Sequence, residues 1–335
     1  MKNLIIPENY SSPLTLRETQ SAVKYIKDTF QKKLIAGLNL DRITAPLIVF
    51  SDSGINDDLN GVERKVSFSM KEIDGTAEVV QSLAKWKRIA LKKYKIAMHK
   101  GLYTDMQAIR RDDKIDETHS IYVDQWDWEK VISKEDRTIE YLKQTVCSIV
   151  KAIKRTSEYL RRKSGLNFPR IKEKICFITS QELLDMFPGK TDKEREYEIV
   201  KKYKTVFIIG IGEKLSNGKP HDLRAPDYDD WTLNGDLMFY DEVLDIALEI
   251  SSMGIRVDSK KLSEQLEKDG KQDRMKYDYH KQIIAGELPL TIGGGIGQSR
   301  LCMLLLGRAH IGEVQSSYWD EKTIKECEQQ KIELL

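Results

Sequence analysis

The chain has 335 residues, enough for one large domain or two ordinary ones with substantial cores. Its 55 lysines and arginines nearly cancel its 53 aspartates and glutamates, so the formal charge of +2 offers no electrostatic footprint for a nucleic-acid or membrane partner. No apolar run approaches a membrane span, and the start, MKNLIIPENY, has too short an apolar segment for a signal peptide. The four cysteines (Cys147, Cys176, Cys302, Cys327) are scattered without a C-x-x-C pair, which predicts structural thiols in a reducing cytoplasm and no zinc. With neither repeat nor low-complexity linker, residues 1–335 read as a single cytoplasmic domain.

Residues 17–38 place Val23, Ile26, Phe30 and Leu34 at helical spacing, which predicts an amphipathic helix ended by Gly37 and Asn39. ITAPLIVF (43–50) follows as a strand, confined by Pro46 to an edge or a bulge. SDSGINDDLNG (51–61) is turn chemistry with Asp52, Asp57 and Asp58, by itself a solvated loop. AEVVQSLAKWK (77–87) reads as a strand running into a short helix, with Gln81, Ser82 and Lys87 near its start. Residues 103–111 and 120–128 are two strands joined by the polar loop 112–119. In the second, period two puts Tyr122, Asp124, Trp126 and Trp128 on one face and Ile121, Val123, Gln125 and Asp127 on the other. Arg110, near the end of the partner strand, can converge on Gln125 and Asp127. A cation, an amide and a carboxylate on one sheet face suit a zwitterion, and equally a structural salt bridge.

Residues 135–165 are helical, with Ile139, Leu142, Val146, Ile149 and Ile153 forming a packing stripe. Short buried strands are predicted at 175–179 and 205–210, flanking a helix at 181–187. RAPDYDDW (224–231) reads as a loop, 237–240 as a strand, and 243–257 as a segment with Glu249 and Arg256 around a small-residue break at Ser251, Ser252 and Gly254. Asp227, Asp229, Asp230, Asp236 and Glu249 read as a carboxylate-only inventory without a nearby histidine or cysteine. Such donors suit Mg²⁺ carrying a nucleotide; scattered surface acids are the alternative.

The stretch TIGGGIGQSRLCMLLL (291–306) carries Gly293, Gly294, Gly295 and Gly297 into a buried helix. Glycine admits close approach of backbone to a ligand, and N–H groups at a helix start suit an anion. Arg300 falls in the first turn, where the macrodipole disfavours a cation by about 0.3–1 kcal/mol unless an anion is bound. Arg300 therefore reads as a phosphate ligand, with a solvent-paired arginine at a tight helix entry as the alternative. No G-K-[ST] is present and the last glycine of G-x-G-x-x-G is missing, so neither a P-loop nor a dinucleotide fingerprint is predicted.

A long helix with a proline-marked strand, a strand pair carrying an arginine, and a strand–helix glycine unit with a terminal arginine follow one another. This order resembles motifs one, two and three of the class II aminoacyl-tRNA synthetase catalytic domain. QSLAKWK (81–87) is similar to the Q-S-P-Q-L-F-K of the aspartyl branch, DQWDWE (124–129) to its T-Q-I-D-V-E, and EISSMGIRV (249–257) to its E-x-G-G-G-S-I-R-I. SLAKWKR, GLYT, YVDQWDWE, RAPDYDDW, EISSMGIRVD and TIGGGIGQSRL resemble most the ammonia-dependent asparagine synthetases, over about residues 17–312.

The resemblance implies an α+β fold, a class II synthetase-like catalytic domain with an antiparallel sheet flanked by helices, and a homodimer. It implies asparagine synthesis from aspartate, ammonia and ATP through a β-aspartyl-adenylate, with AMP and pyrophosphate released. The motif-one helix begins near residue 17, leaving no room for an anticodon-binding domain. Lys2 stands where a glutaminase needs its cysteine, so free ammonia is the expected nitrogen donor. Another adenylate-forming ligase, or an amino-acid-sensing paralogue that has lost a phosphate or metal ligand, are the alternatives.

Carried over by residue, the resemblance gives Arg110 the α-phosphate and Arg300 the polyphosphate, with His119, Gly295 and Gly297 also in the ATP site. It gives Mg²⁺ to Asp236 and Glu249. Lys87 and Arg256 match residues that grip the side-chain carboxylate in aspartyl-tRNA synthetases. Here the opposite end of aspartate faces ATP, so they are expected on the α-carboxylate. Asp127 and Asp229 take the α-ammonium, Ser82 and Ser252 border the same substrate, Gln125 meets the reacting carbonyl, and Asp57 holds or deprotonates the incoming ammonium.

Overall fold

The computed structural model describes residues 4–57, 59 and 63–335; Lys2 and Asp58, named above, lie outside them. Helix α1 (Leu16–Leu38) starts at a capping box between Thr15 and Glu18 and ends at Asn39 in the left-handed region. Its buried stripe is the predicted one: Val23, Ile26, Phe30, Leu34 and Leu38. An unforeseen strand, β1 (Leu40–Arg42), comes first, and the strand expected at 43–50, around Pro46, is shortened to β2 (Ile48–Phe50) in a different sheet. Proline has no N–H for a ladder, and it falls in the crossing between them. With β3 (Ser67–Ser69) and β4 (Thr76–Val79), β2 makes a small sheet ordered β2-β4-β3 that leads into α2 (Ala84–Lys93).

The remaining elements follow in chain order. The long hairpin β5 (Gly101–Ile109) and β6 (Tyr122–Val131) precedes α3 (Ile139–Ser164), β7 (Cys176–Thr179), α4 (Ser180–Met186), α5 (Asp192–Tyr203) and β8 (Thr205–Ile209). Strands β9 (Asp229–Asp241) and β10 (Ile246–Arg256) are followed by α6 (Ser259–Lys268), α7 (Asp278–Ile284), β11 (Thr291–Gly297), α8 (Gln298–Leu306) and α9 (Glu321–Gln329). The main sheet has eight strands in the order β1-β5-β6-β11-β10-β9-β8-β7. From β5 across to β8 every pairing is antiparallel, as expected; the two outermost pairs, β1 with β5 and β7 with β8, are parallel.

Alternation along β6 decides the two faces of this sheet. Trp126 and Trp128 turn toward α1 and α3 and are fully buried, the Trp126 ring 4.7 Å from Phe30. With Ile149, Ile153, Leu301 and Leu305 they belong to the principal core, where full burial of each large apolar side chain is worth about 1.5–3 kcal/mol. Gln125 and Asp127 point to the opposite face, as period two requires, together with Glu129. Helix α5 was not foreseen. Its sequence is highly charged, but Thr191 and Glu194 form a capping box and Ile199 and Val200 pack on Val206, Ile208 and Met238.

Two further readings change. The loop of RAPDYDDW stops at Tyr228, and Asp229 opens strand β9. The small residues Ser251, Ser252 and Gly254 do not break the chain: they lie within β10, whose register shifts at a bulge between Glu249 and Ser251. The glycine-rich stretch is itself a strand, β11, paired with β6 on one side and β10 on the other. A Cβ on Gly293 would overlap the Glu129 carboxylate, and one on Gly295 the Gln125 amide. These glycines thus clear space for polar side chains of β6 to lie across the strand.

Candidate active site

A cleft of about 480 Å³ opens on the face that carries Gln125 and Asp127. Fourteen chain positions chosen from the sequence line it: Ser82, Lys87, Arg110, His119, Gln125, Asp127, Asp229, Asp236, Glu249, Ser252, Arg256, Gly295, Gly297 and Arg300. Asp57 is buried at 1% exposure and is not on the wall. Its carbonyl accepts from Gln81 Nε2 at 2.9 Å, and Arg110 Nε donates to the Gln81 carbonyl at 3.3 Å, so Gln81 stands between them. Burial and then the charge of Asp57 hold the phenol of Tyr228, a wall residue, well above its ordinary value.

One end of the cleft is built from compensated charge. Lys87, early in α2, donates from Nζ to Asp127 Oδ1 at 2.6 Å and to the Gly294 carbonyl at 3.0 Å. Arg256, closing β10, grips Glu129 in a fork, Nε to Oε1 at 3.0 Å and Nη2 to Oε2 at 2.8 Å, and donates from Nη1 to Asp229. Thr291 Oγ1 donates to Glu129 at 2.7 Å. Burial opposes ionisation of both partners, but the neighbouring charges prevail: Glu129 is held below its usual range and Arg256 well above its own. Alternating cations and carboxylates of this kind can receive both ends of a zwitterion, each ligand charge meeting its opposite. Ser252 lies opposite Gly295 on one side and Asp236 on the other, and Ser82 Oγ accepts from Ala84 N at 3.2 Å where α2 begins.

The other end is less compensated. Among the described residues Arg300 donates only to backbone, Nε to Thr118 O at 3.4 Å and Nη1 to Glu249 O at 3.0 Å, and Arg110 only to Gln81 O. Neither guanidinium forms an ion pair among the described residues; burial raises the nearby Asp113 carboxyl while the charges of both arginines pull it down, and their remaining donors are open to an anion. The N-terminus of α8, by contrast, is already occupied. Ser299 N donates to Asp124 Oδ1 at 3.0 Å, and Asp124 also pairs with Lys27 at 3.0 Å. The anion at this helix start is the protein's own, and anion binding falls to the Arg300 side chain. His119 Nδ1 lies 2.7 Å from Asp116 Oδ1; burial raises that carboxyl, but the ring, the Thr118 N–H and Lys114 together lower it more, leaving it well below the usual range.

The carboxylate inventory divides. Asp236 and Glu249 face the cleft, Asp236 sharing Oδ1 with Arg224 Nη2 at 2.6 Å. Asp230 pairs with Arg137 at 3.2 Å, away from the wall. Asp227 meets His280 at 3.1 Å, which overturns the expectation that no histidine is near these acids; α7 brings it from a distant part of the chain. Among the described residues no group of three or more His, Cys, Asp or Glu could hold a metal. Two carboxylates do fit Mg²⁺ when substrate phosphates and water complete its oxygen shell. Sequence reasoning missed Glu129, Arg224 and Tyr228 as site residues. Glu129 was reachable, since it continues the Gln125–Asp127 face by the same period.

A family model described as aspartate–ammonia ligase matches residues 17–331. A curated aspartate–ammonia ligase of Lactobacillus acidophilus is 56% identical over 334 residues, covering 99% of each chain. One of Clostridium perfringens is 54% identical over 340 residues, covering 100% of both. Among solved structures, asparaginyl-tRNA synthetase of Pyrococcus horikoshii complexed with asparaginyl-adenylate superposes with a TM-score of 0.65 at 16% identity, over 92% of this chain and 73% of that one. Asparaginyl-tRNA synthetase of Entamoeba histolytica gives 0.62 at 16% identity, over 90% and 67%. At such identities these two structures establish the fold, that of the class II aminoacyl-tRNA synthetase catalytic domain. Full-length identity above one half, a family match across nearly the whole chain and a cleft of this charge layout agree: the chain belongs to the aspartate–ammonia ligase family.

Proposed function

We propose that the chain makes asparagine from aspartate, ammonia and ATP, with a β-aspartyl-adenylate as intermediate and AMP and pyrophosphate as products. The observation that carries this reading is the adjacency of two unlike ends in one cleft. Lys87, Asp127, Asp229 and Arg256 suit a zwitterion, and among the described residues Arg110 and Arg300 donate only to carbonyls.

The chemistry follows from charge. Lys87 and Arg256 hold the α-carboxylate, and Asp127 and Asp229 the α-ammonium, leaving the β-carboxylate to face ATP. A β-carboxylate oxygen attacks the α-phosphorus, the bond to pyrophosphate breaks, and Arg110 and Arg300 offset the negative charge gathering on the phosphoryl oxygens. His119, Gly295 and Gly297 border the nucleotide. Asp236 and Glu249 would hold Mg²⁺, which supplies further neutralisation of phosphate charge when bound. The lone pair of ammonia then attacks the acyl carbon, Gln125 donates to the carbonyl oxygen, and AMP leaves with the bonding electrons. Asp57, just behind the wall and tied to Arg110 through Gln81, takes the proton that ammonium must lose. The protein's contribution throughout is position and preorganised charge.

A homodimer is part of this proposal. It is supported by Leu47, Ile48, Phe50, Phe68 and Ile73, which leave apolar surface 39–52% exposed on and beside the small sheet. A single catalytic domain acting in the cytoplasm, without nucleic acid, is proposed from the balanced charge and the unpaired cysteines. Among the described residues no helix is long and apolar enough to cross a membrane.

The test measures asparagine and AMP formed from aspartate, ATP and Mg²⁺ with ammonium or with glutamine as nitrogen source. Synthesis with ammonium and not with glutamine is expected. Aspartate-dependent exchange of labelled pyrophosphate into ATP should occur without tRNA, and its absence counts against the adenylate.

A further inference from the structure

Asp227 is off the cleft wall, fully buried, and three donors converge on its Oδ2. These are Lys85 Nζ at 3.3 Å, Arg274 Nη1 at 2.9 Å and His280 Nε2 at 3.1 Å. The Lys85 ammonium spends its other donors on the backbone carbonyls of Gly54, at 3.1 Å, and Asn56, at 3.4 Å. Lys85 stands two positions before Lys87 on α2, Asn56 immediately before Asp57, and Asp227 two before Asp229. One buried ammonium therefore ties together the three segments that carry Asp57, Lys87 and Asp229.

The Asp57 segment is gripped from its other side as well. Asn56 Oδ1 accepts from Gln81 N at 2.9 Å, while its Nδ2 donates to Glu78 Oε2 at 3.0 Å and Val79 O at 3.1 Å. Stability alone does not call for a lysine at position 85, because well-packed apolar residues often serve as well as a buried ion pair. An apolar side chain cannot, however, hold two carbonyls and a carboxylate at set distances.

We infer that Lys85 and Asp227 are positioning residues for nitrogen transfer, setting Asp57 in place relative to the aspartate-binding side chains through the backbone of Gly54 and Asn56. This rests on the aspartate–ammonia ligase reading of the cleft. The groups assigned to aspartate have partners of their own, Lys87 with Asp127 and Arg256 with Glu129. Adenylation therefore tolerates the loss of Lys85, whereas the placement of Asp57 does not.

The test compares Lys85→Met and Asp227→Asn with the wild-type chain in two assays: aspartate-dependent pyrophosphate exchange, and asparagine synthesis against ammonium concentration. Lys85→Met is expected to raise the ammonium KM about tenfold to hundredfold, as misplacement of a reacting partner does. Exchange rate and aspartate KM should stay within about threefold of wild type. Asp227→Asn, which keeps the shape and removes the charge that holds Lys85, should give the same split. Parallel loss in both assays overturns the inference, as does an unchanged ammonium KM. Failure of both variants to fold by circular dichroism also overturns it, since the pair then serves the fold. A wild-type chain without aspartate-dependent exchange overturns the ligase reading itself; exchange that is present but not split overturns this inference alone.

Discussion

Arg300 on α8 donates from Nη1 to the backbone carbonyl of Glu249 on β10, 3.0 Å away. The cation assigned to the polyphosphate is thus fastened to the residue assigned to the metal. Glu249 offers its carbonyl to the arginine while its carboxylate remains a candidate metal ligand, so the two roles do not compete for one oxygen. The same economy holds at Gln81, whose carbonyl accepts from Arg110 while its amide donates to the Asp57 carbonyl.

Because Arg300 and Arg110 donate only to carbonyls among the described residues, their removal breaks no ion pair, although each also offsets the charge of Asp113 on the cleft wall. Arg300→Ala and Arg110→Ala should each lower pyrophosphate exchange by about 10²–10³, the usual cost of losing one donor to transition-state charge. Circular dichroism and thermal midpoint should stay near wild type. Near-normal exchange in either variant would show that the cleft has been misassigned.

The glycines of β11 should differ in what they protect. A Cβ at Gly293 overlaps the buried Glu129 carboxylate and crowds Arg256 Nη2 at 2.7 Å, so Gly293→Ala should cost about 1–3 kcal/mol in urea unfolding. A Cβ at Gly295 overlaps the far end of Gln125, which is half-buried and can swing aside, and comes within 3.0 Å of Asp127 Oδ1, which Lys87 holds. Gly295→Ala should therefore lose less stability than Gly293→Ala but most of its asparagine synthesis. Equal destabilisation by the two substitutions would refute the distinction.

His310 gives stability a pH dependence with a definite sign. Burial lowers its pKa from 6.5 to about 4, and Nδ1 accepts from Gly312 N at 3.0 Å. Between those values the unfolded chain binds a proton that the folded chain does not, so stability rises with pH across the window. It is fully present above 6.5 and falls as acid takes the pH toward 4, by at most about 3 kcal/mol. Urea unfolding at pH 7 and pH 5 should register the fall, and His310→Gln should flatten it. The same slope in the variant would assign the effect to other groups.

Asp57→Asn should damage the second half-reaction more than the first, since adenylation is assigned to other residues. Only unprotonated ammonia attacks an acyl-adenylate, so at limiting ammonium the rate should climb as pH rises above neutral. A carboxylate that accepts the proton flattens that climb, and Asp57→Asn should steepen it. Loss of pyrophosphate exchange as severe as loss of synthesis would move Asp57 to the aspartate site.

Much of the architecture was legible in short-range pattern. The stripe of α1, the stripe of α3 and the alternation of β6 all repeat within a few residues, which is the distance over which helix and strand geometry act. Asp124 shows where legibility ended. Period two correctly sets it on the face away from Gln125 and Asp127, but that it would cap α8 and occupy the helix N-terminus depends on Ser299, far along the chain. The glycines were read as room for a ligand. They are equally room for Glu129 and Gln125, a fact of cross-strand register that glycine spacing does not encode.

By itself the sequence determined the helix stripes, the two faces of β6 and the strings that resemble one family, and these sufficed to name fourteen residues that line the cleft. The resemblance chose Asp229 over Asp227, but only the tertiary structure shows what sets them apart. Two positions apart in RAPDYDDW, they are chemically identical, yet Asp229 reaches Arg256 at the cleft and Asp227 reaches Lys85, Arg274 and His280 off its wall. The reason is physical. Local periodicity dictates which way a side chain points, whereas the partner it finds depends on which distant segment the packed chain brings there. For a buried carboxylate, that partner decides whether it can bind a ligand or must hold the fold around one.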